Sequence, residues 1–315
     1  MSNLVEVEGV SRYFGDHRAV RDLSFVLDEA GAVGLLGPNG AGKSTTLNLL
    51  SGNLAPNSGR IVINGVDLRR QPRKAKAFLG YLPDTPPVYP ESTVDEYLSF
   101  CAKIHRIARA KRARSIAEAK QRCGLDEVGK RLIGALSKGF RQRLGIAQAI
   151  LHAPPLIILD EPMVGLDPIQ LREMRDLIGK MAQQHAILLS SHLLPEVQNS
   201  CTRSLIIDRG RLILDTDIDD LDQHLSHSSL ILKTRAAADL SILRRINGVD
   251  TVELIGENSY RIAFRKDSDP TEQIAEKVVG SGCGLLELCR EQRSVEEVFL
   301  HMTAPAEARE NGVVP

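Results

Sequence analysis

Apolar and polar positions alternate at 3–8 and again at 20–27, the two-residue period of strands with one face on a core. The apolar run AVGLL at 32–36 ends at glycine and predicts a buried strand, and 44–51 then carries helical spacing. RIVI at 60–63 and residues 66–68 predict strands around the turn Asn64-Gly65. Residues 92–122 read as mostly helical, opened by Ser92 and Thr93 with Asp95 and Glu96 in the first turn. A further helix covers 138–152. LIILD at 156–160 and AILLSS at 186–191 are uninterrupted apolar runs, as in strands buried on both faces, with a helix over 169–184 between them. Strands separated by helices predict an α/β domain with a parallel sheet.

The pattern changes at 215–228, TDIDDLDQHLSHSS, which is polar and acidic. Residues 221–228 are therefore expected to link a first domain (1–220) to a second (229–302), with 303–315 a disordered tail. In the second domain, strand 229–234, helix 238–246, strands 250–255 and 259–264, helix 270–279, strand 284–289 and helix 294–302 follow one another. The β-α-β-β-α-β order predicts a small α+β, ferredoxin-like sandwich.

Composition narrows the classes. The 315 residues hold 40 Lys+Arg against 40 Asp+Glu, which gives no global pull toward nucleic acid or an anionic membrane. No run approaches the roughly 18 apolar residues of a membrane span. The N-terminus has neither a basic segment nor a long apolar one, so no signal peptide is expected. Five cysteines without C-x-x-C spacing read as free thiols in a reducing compartment. The basic stretch from Lys103 to Arg122, opposed only by Glu118, reads most simply as a solvated helical face, as does the run from Arg69 to Lys76. Contact with acidic partner loops or lipid heads is the functional alternative; aromatics interleave too poorly for a nucleic-acid partner to be expected.

The chemistry concentrates at two places. Residues 37–44, Gly-Pro-Asn-Gly-Ala-Gly-Lys-Ser, fit G-x-x-x-x-G-K-[ST], between a predicted strand and a predicted helix. Glycines let the backbone curl so that N–H groups face phosphate oxygens, and the helix start adds its dipole. Lys43 is expected to reach the β- and γ-phosphates, and Ser44 to ligate Mg²⁺. The strand 156–160 ends in Asp160, a second Mg²⁺ ligand, followed by Glu161, which should point to the other side of the chain and accept a proton from an attacking water.

The ordered motifs resemble the nucleotide-binding subunit of an ABC transporter over about residues 3–220. Walker A is Gly37–Ser44, the Q-loop region Gly80-Tyr81-Leu82-Pro83-Asp84, the signature Leu136-Ser137-Lys138-Gly139-Phe140. Walker B is Leu156–Asp160 with Glu161, the D-loop Gly165-Leu166-Asp167, and the switch histidine His192. Phe14 matches the aromatic that stacks on adenine. Two positions depart from the commonest pattern: Asp84 stands where the Q-loop has glutamine, and the signature reads LSKGF. Both departures, with the closing stretch Arg293–Leu300, look like ABC-2-type exporter ATPases, including the branch named after gliding motility.

The resemblance implies a P-loop NTPase domain with an antiparallel β lobe and a helical lobe, binding ATP and Mg²⁺. It implies catalytic roles for Glu161, His192 and Lys43. Nucleotide contacts would come from Phe14, Gly37, Pro38, Asn39, Gly40, Ala41, Gly42, Lys43, Ser44, Thr45, Ser137 and Gly139, and metal contacts from Ser44, Asp160 and Asp84. Ser137 and Gly139 would act across a head-to-tail homodimer, linked by Asp167. The working unit would sit peripherally on the cytoplasmic face of the membrane, under a separate permease, whose cytoplasmic helix would dock near Asp84 and residues 85–104. Alternatives are a soluble ABC-type ATPase in translation or DNA maintenance, or an ATP sensor without turnover. The single cassette argues against the first, intact Glu161 and His192 against the second.

Overall fold

The computed structural model describes residues 3–28, 30–225, 229–265 and 268–291. They divide into two compact units, one ending at Asp219 and one starting at Asp220.

The first unit opens with the hairpin β1 (Val5–Phe14) and β2 (His17–Leu27), then β3 (Gly31–Leu36) and α1 (Lys43–Leu50). β4 (Ser58–Ile63), β5 (Val66–Asp67), α2 (Pro72–Lys76) and β6 (Leu79–Leu82) follow. Next come α3 (Val94–Ile104), α4 (Arg109–Cys123), α5 (Lys138–Ile150), β7 (Leu156–Leu159), α6 (Pro168–Ala182) and β8 (Ala186–Ser191). The unit closes with α7 (Leu194–Ser200), β9 (Arg203–Asp208), β10 (Arg211–Asp217) and the start of α8 (Ile218–Leu225).

Two sheets result. An antiparallel sheet runs β2-β1-β4-β5. A second runs β10-β9-β3-β8-β7-β6, parallel except for the β9–β10 hairpin. Every residue of β7 and β8 is buried, as their unbroken apolar runs require. One core joins the sheets: Val7, Phe25 and Ile63 meet Leu47 of α1 and Leu35, Ile158 and Leu188 of the parallel sheet. α1 is thereby clamped between sheets, and its N-terminus, at Lys43, is fixed.

The helical lobe is α3 to α5. Thr93 caps α3 in a reciprocal box: its hydroxyl accepts from Glu96 N–H at 3.3 Å while Glu96 accepts from Thr93 N–H at 2.9 Å. The helical stretch expected over 92–122 is two helices, broken at Arg106, whose φ of 55° is left-handed. The acidic stretch expected as a linker is helical as far as Leu225: Ile218, Leu221 and Leu225 recur at helical spacing, and Leu221 is fully buried.

In the second unit β11 (Ser229–Thr234), α9 (Leu240–Arg244), β12 (Val249–Gly256), β13 (Ser259–Phe264), α10 (Thr271–Gly280) and β14 (Leu285–Arg290) follow in turn. The sheet order is β12-β13-β11-β14, each pair antiparallel. Leu230, Leu232, Tyr260 and Ile262 form its core with Leu243 of α9 and Ile274 of α10. The expected helix 294–302 and tail 303–315 lie outside the described residues. All five cysteines are free, three of them buried. Among the described residues no helix is long and apolar enough to cross a membrane.

Candidate functional site

Between β3 and α1 the chain makes a tight loop. Gly40 and Gly42 take left-handed φ of 82° and 107°. A Cβ on Gly42 would lie 2.5 Å from the Ala19 carbonyl oxygen, and one on Gly37 would lie 2.4 Å from that of Ile207. Only glycine fits either position. Ala41 is buried and donates its N–H to the Pro38 carbonyl at 3.1 Å. No side chain caps α1, so its first amides face outward toward the cleft, an anion-favouring arrangement.

Lys43 is buried, and its ammonium donates to the Gly37 and Pro38 carbonyls at 2.8 and 3.3 Å. It also lies 3.4 Å from Glu161 Oε1. The next residue, Ser44, donates its hydroxyl to Asp160 Oδ1 at 3.3 Å. Ser190 Oγ donates to the same oxygen at 2.7 Å and accepts the Glu161 backbone N–H at 2.8 Å. Burial pushes the Asp160 carboxyl above the usual carboxylate range; the Ser190 and Ser44 hydrogen bonds oppose this, and the charges of Glu161 and Asp84 add to it.

Strand alternation places Asp160 and Glu161 on opposite sides, but the structure brings both to the start of α1. The reason is local: β7 ends at Leu159 and Glu161 has a φ of 47°, which turns its carboxylate back into the cleft. There it accepts from His192 Nδ1–H, 3.1 Å from Oε2 and 3.3 Å from Oε1. The carboxylate acceptors fix Nδ1 as a donor.

A cleft of about 480 Å³ gathers these groups: Asn39, Gly40, Gly42, Lys43, Ser44 and Thr45 on one side, with Asp84, Glu161 and His192 around it. Asp84 is exposed on the rim, and its backbone carbonyl accepts from Gln142 Nε2 at 3.5 Å. His17, Ala19 and Val164 also line the cleft, beyond the residues expected from sequence. Ser190 is a second omission. Only the fold reveals that it bridges two strand ends.

Of the expected nucleotide contacts, Gly37, Pro38 and Ala41 belong to the loop without lining this cleft, and Phe14, Ser137 and Gly139 lie off the loop altogether. Phe14 is 47% exposed on the β1–β2 hairpin, with the Arg12 guanidinium 4.7 Å from its ring centre. Ser137 caps α5 by accepting the Phe140 N–H at 3.3 Å. A Cβ on Gly139 would lie 2.6 Å from Gln170 Oε1. Asp167 of the D-loop caps α6, accepting from Gln170 N–H at 2.9 Å.

The residues fit a nucleotide and a divalent cation. Glycines that admit no side chain let phosphate approach the backbone, and a hydroxyl beside a carboxylate is the hard-oxygen donor set of Mg²⁺, which phosphate oxygens complete. A parallel sheet, a glycine loop at a helix start and an acidic strand end alongside define a P-loop nucleotide hydrolase.

Comparison with known proteins narrows the class. A family model described as ABC transporter matches residues 20–164. The uncharacterized ABC transporter ATP-binding protein YxlF of Bacillus subtilis is 36% identical over 220 residues, 70% of this chain and 73% of YxlF. The bacitracin transport ATP-binding protein BcrA of Bacillus licheniformis is 36% identical over 223 residues, 70% of this chain and 72% of BcrA. A solved structure, that of an ATP binding subunit of an ABC transporter, superposes with a TM-score of 0.63 at 32% identity, covering 70% of this chain and 92% of that one. The chain belongs to the ABC transporter ATP-binding protein family. It binds and hydrolyses ATP as the ATPase component of a transporter complex. The alternative of a soluble cassette in translation or DNA maintenance draws no support from these relatives.

Proposed function

We propose that this chain powers export through a separate membrane-spanning permease by ATP-driven closure of a head-to-tail homodimer. The observation that carries the reading is the convergence of Lys43, Ser44, Asp160, Glu161 and His192 on one helix start.

Gly37, Pro38 and Ala41 shape the loop, the amides of Asn39, Gly40, Gly42, Lys43 and Thr45 form the phosphate cradle, and the Lys43 ammonium offsets part of a charge of about four on the triphosphate. Ser44 and Asp160 would hold Mg²⁺, which would supply charge neutralisation to the phosphates. Asp84, on the same cleft, is assigned a water-mediated place beside it. Glu161 takes the proton of the attacking water. His192 steadies the Glu161 carboxylate through Nδ1 and reaches the γ-phosphate through Nε2. Phe14 stacks on adenine from the hairpin. Ser137 and Gly139 do not line their own cleft, which supports their use on the nucleotide of a second copy, with Asp167 linking the two sites.

The exporter assignment, and the narrower gliding-motility-associated branch, rest on Asp84 and the LSKGF signature; residues 293–300 of the closing stretch lie outside the described residues. The name of BcrA, a bacitracin transport protein, is compatible with this. The division at 220, the linker near 221–228 and the ferredoxin-like second domain (229–302) belong to the same proposal. The order β12-β13-β11-β14, antiparallel throughout, supports the ferredoxin-like reading. The working place is the cytoplasmic face of the membrane, without a nucleic-acid partner.

The test is capture. Tagged Glu161→Gln, held with Mg²⁺-ATP and purified from gently solubilised membranes, is expected to bring down one multi-span membrane protein in stoichiometric amount. Ribosomes, nucleic acid, or a soluble dimer alone contradict the proposal.

A further inference from the structure

The ring of His192 is gripped by Glu161, and the loop that carries it is built round two other polar residues. Ser191, the last residue of β8, is 1% exposed, and Glu196, in the first turn of α7, is 6% exposed. Neither lines the nucleotide cleft. The Ser191 hydroxyl donates to Glu196 Oε2 at 2.6 Å and accepts the Leu193 N–H at 3.0 Å. The Glu196 N–H in turn donates to the Leu193 carbonyl at 3.2 Å. His192 stands between Ser191 and Leu193, so one hydroxyl holds the backbone on both sides of it. The N-cap of α7, Leu193, has no side chain able to close this turn, and the Ser191–Glu196 pair closes it instead.

A carboxylate is a costly choice for such a place. Glutamine can accept the same hydrogen bond without burying a charge, and an ion removed from water is strongly disfavoured unless charges and hydrogen bonds oppose that loss. Burial pushes the Glu196 carboxyl above the usual carboxylate range; the Ser191 hydrogen bond opposes this, the charge of Glu161 adds to it, and His192 and Arg175 oppose it. Arg175 belongs to α6, which packs on α7, and its Nε is buried without a hydrogen-bond partner among the described residues. The same α6 starts from Asp167 of the D-loop. Glu196 therefore stands where the histidine loop, the end of β8 and the D-loop helix meet.

The two carboxylates act on different freedoms of one residue. Glu161 accepts from Nδ1 and sets the rotation of the ring. Glu196, one hydroxyl removed, sets where the backbone of His192 stands and hence how far the ring enters the cleft. A group that must meet a phosphate oxygen at hydrogen-bond distance tolerates little displacement, because an error of about 1 Å can cost about a hundredfold in rate.

We infer that Glu196 is a positioning residue for ATP hydrolysis, acting through the Ser191 hydroxyl on the backbone of His192. It touches neither nucleotide nor metal. The inference rests on the reading that His192 serves hydrolysis, and it adds the residue that holds His192 in place.

The experiment uses the full-length chain, with folded sites counted by binding of a fluorescent ATP analogue so that kcat refers to those sites alone. Glu196→Ala should lower kcat about tenfold or more while nucleotide affinity stays within about twofold. Ser191→Ala removes the same hydrogen bond by deleting one oxygen and should act alike. The double variant should be no worse than the more affected single one. Glu196→Gln keeps a carbonyl within reach of Ser191 and should return kcat to within about threefold of the unaltered chain. On a His192→Ala background, Glu196→Ala should lower kcat by less than about twofold further, since the residue it positions is gone.

A purely structural role lowers the melting temperature and the number of folded sites but leaves kcat per site unaltered, and that result overturns the inference. So does a tenfold loss that persists on the His192→Ala background, or a Glu196→Gln variant as impaired as Glu196→Ala. If Glu196→Ala yields no folded sites, Ser191→Ala and Glu196→Gln carry the comparison by themselves. Near-normal turnover by His192→Ala alone overturns the underlying reading of His192, and it is seen before any Glu196 variant is compared.

Discussion

Ser190 joins the two acidic residues of the site: its hydroxyl donates to Asp160 Oδ1 at 2.7 Å and accepts the Glu161 N–H at 2.8 Å. One side chain on β8 therefore sets both the carboxylate that faces Ser44 and the backbone turn that aims Glu161. Ser190→Ala leaves a buried amide without an acceptor, at a cost of about 1–3 kcal/mol in stability. ATPase activity should fall about tenfold and need more Mg²⁺ for half saturation. Chemical denaturation and a Mg²⁺ titration of activity check the two parts separately.

His192 and Glu161 are coupled through Nδ1 at 3.1 Å. His192→Ala removes the group that orients the carboxylate but leaves the phosphate cradle whole. The expected outcome is a fall in kcat of about a hundredfold or more with little change in nucleotide affinity. Steady-state turnover beside equilibrium binding of a fluorescent ATP analogue separates these.

Gly42 and Gly40 have left-handed φ for different reasons. At Gly42 a Cβ meets the Ala19 carbonyl at 2.5 Å, whereas at Gly40 it meets nothing within 4 Å. Gly42→Ala should therefore cost more than the roughly 1–2 kcal/mol of left-handed strain alone and abolish ATP binding. Gly40→Ala should cost about that strain and retain weakened binding. Thermal melts with and without Mg²⁺-ATP distinguish them.

His152 gives the fold a pH dependence. Burial, with His105 beside it, moves its pKa from 6.5 down to about 4, against the Leu79 hydrogen bond. The unfolded chain regains the ordinary value, so between these limits it binds more protons than the folded one. Stability is fully present above about pH 6.5 and declines as pH falls toward 4. Melting temperature measured through this window should slope downward, and His152→Gln should flatten part of that slope.

Much of the nucleotide site was legible because its chemistry is local in sequence. The glycine loop, Lys43 and Ser44 are consecutive, and Asp160 ends an apolar run that only a buried strand explains. What was not legible depended on backbone signs and distant pairings. Strand alternation misplaced Glu161 because a single left-handed residue breaks it. The β9–β10 hairpin escapes reading because Arg209-Gly210, at φ 45° and 78°, replaces the Asn-Gly that usually signals such a turn. The break at Arg106 interrupts a helix without proline or glycine for the same reason. His17 and Ser190 carry no motif of their own, and their roles appear only when β2 and β8 are set against α1. The basic run after Lys103 is a solvated face, as expected; that three of its exposed cations also line a groove depends on the fold.

In the proposed cycle Glu161 activates water at a nucleotide held between two copies of the chain. This role is tested most directly by Glu161→Gln, followed by gel filtration with and without Mg²⁺-ATP and by turnover measured on the same preparation. A stable dimer is expected only when Mg²⁺-ATP is present, with hydrolysis about a hundredfold or more below the unaltered chain. A variant that hydrolyses ATP near the normal rate, or stays monomeric while binding ATP, contradicts it.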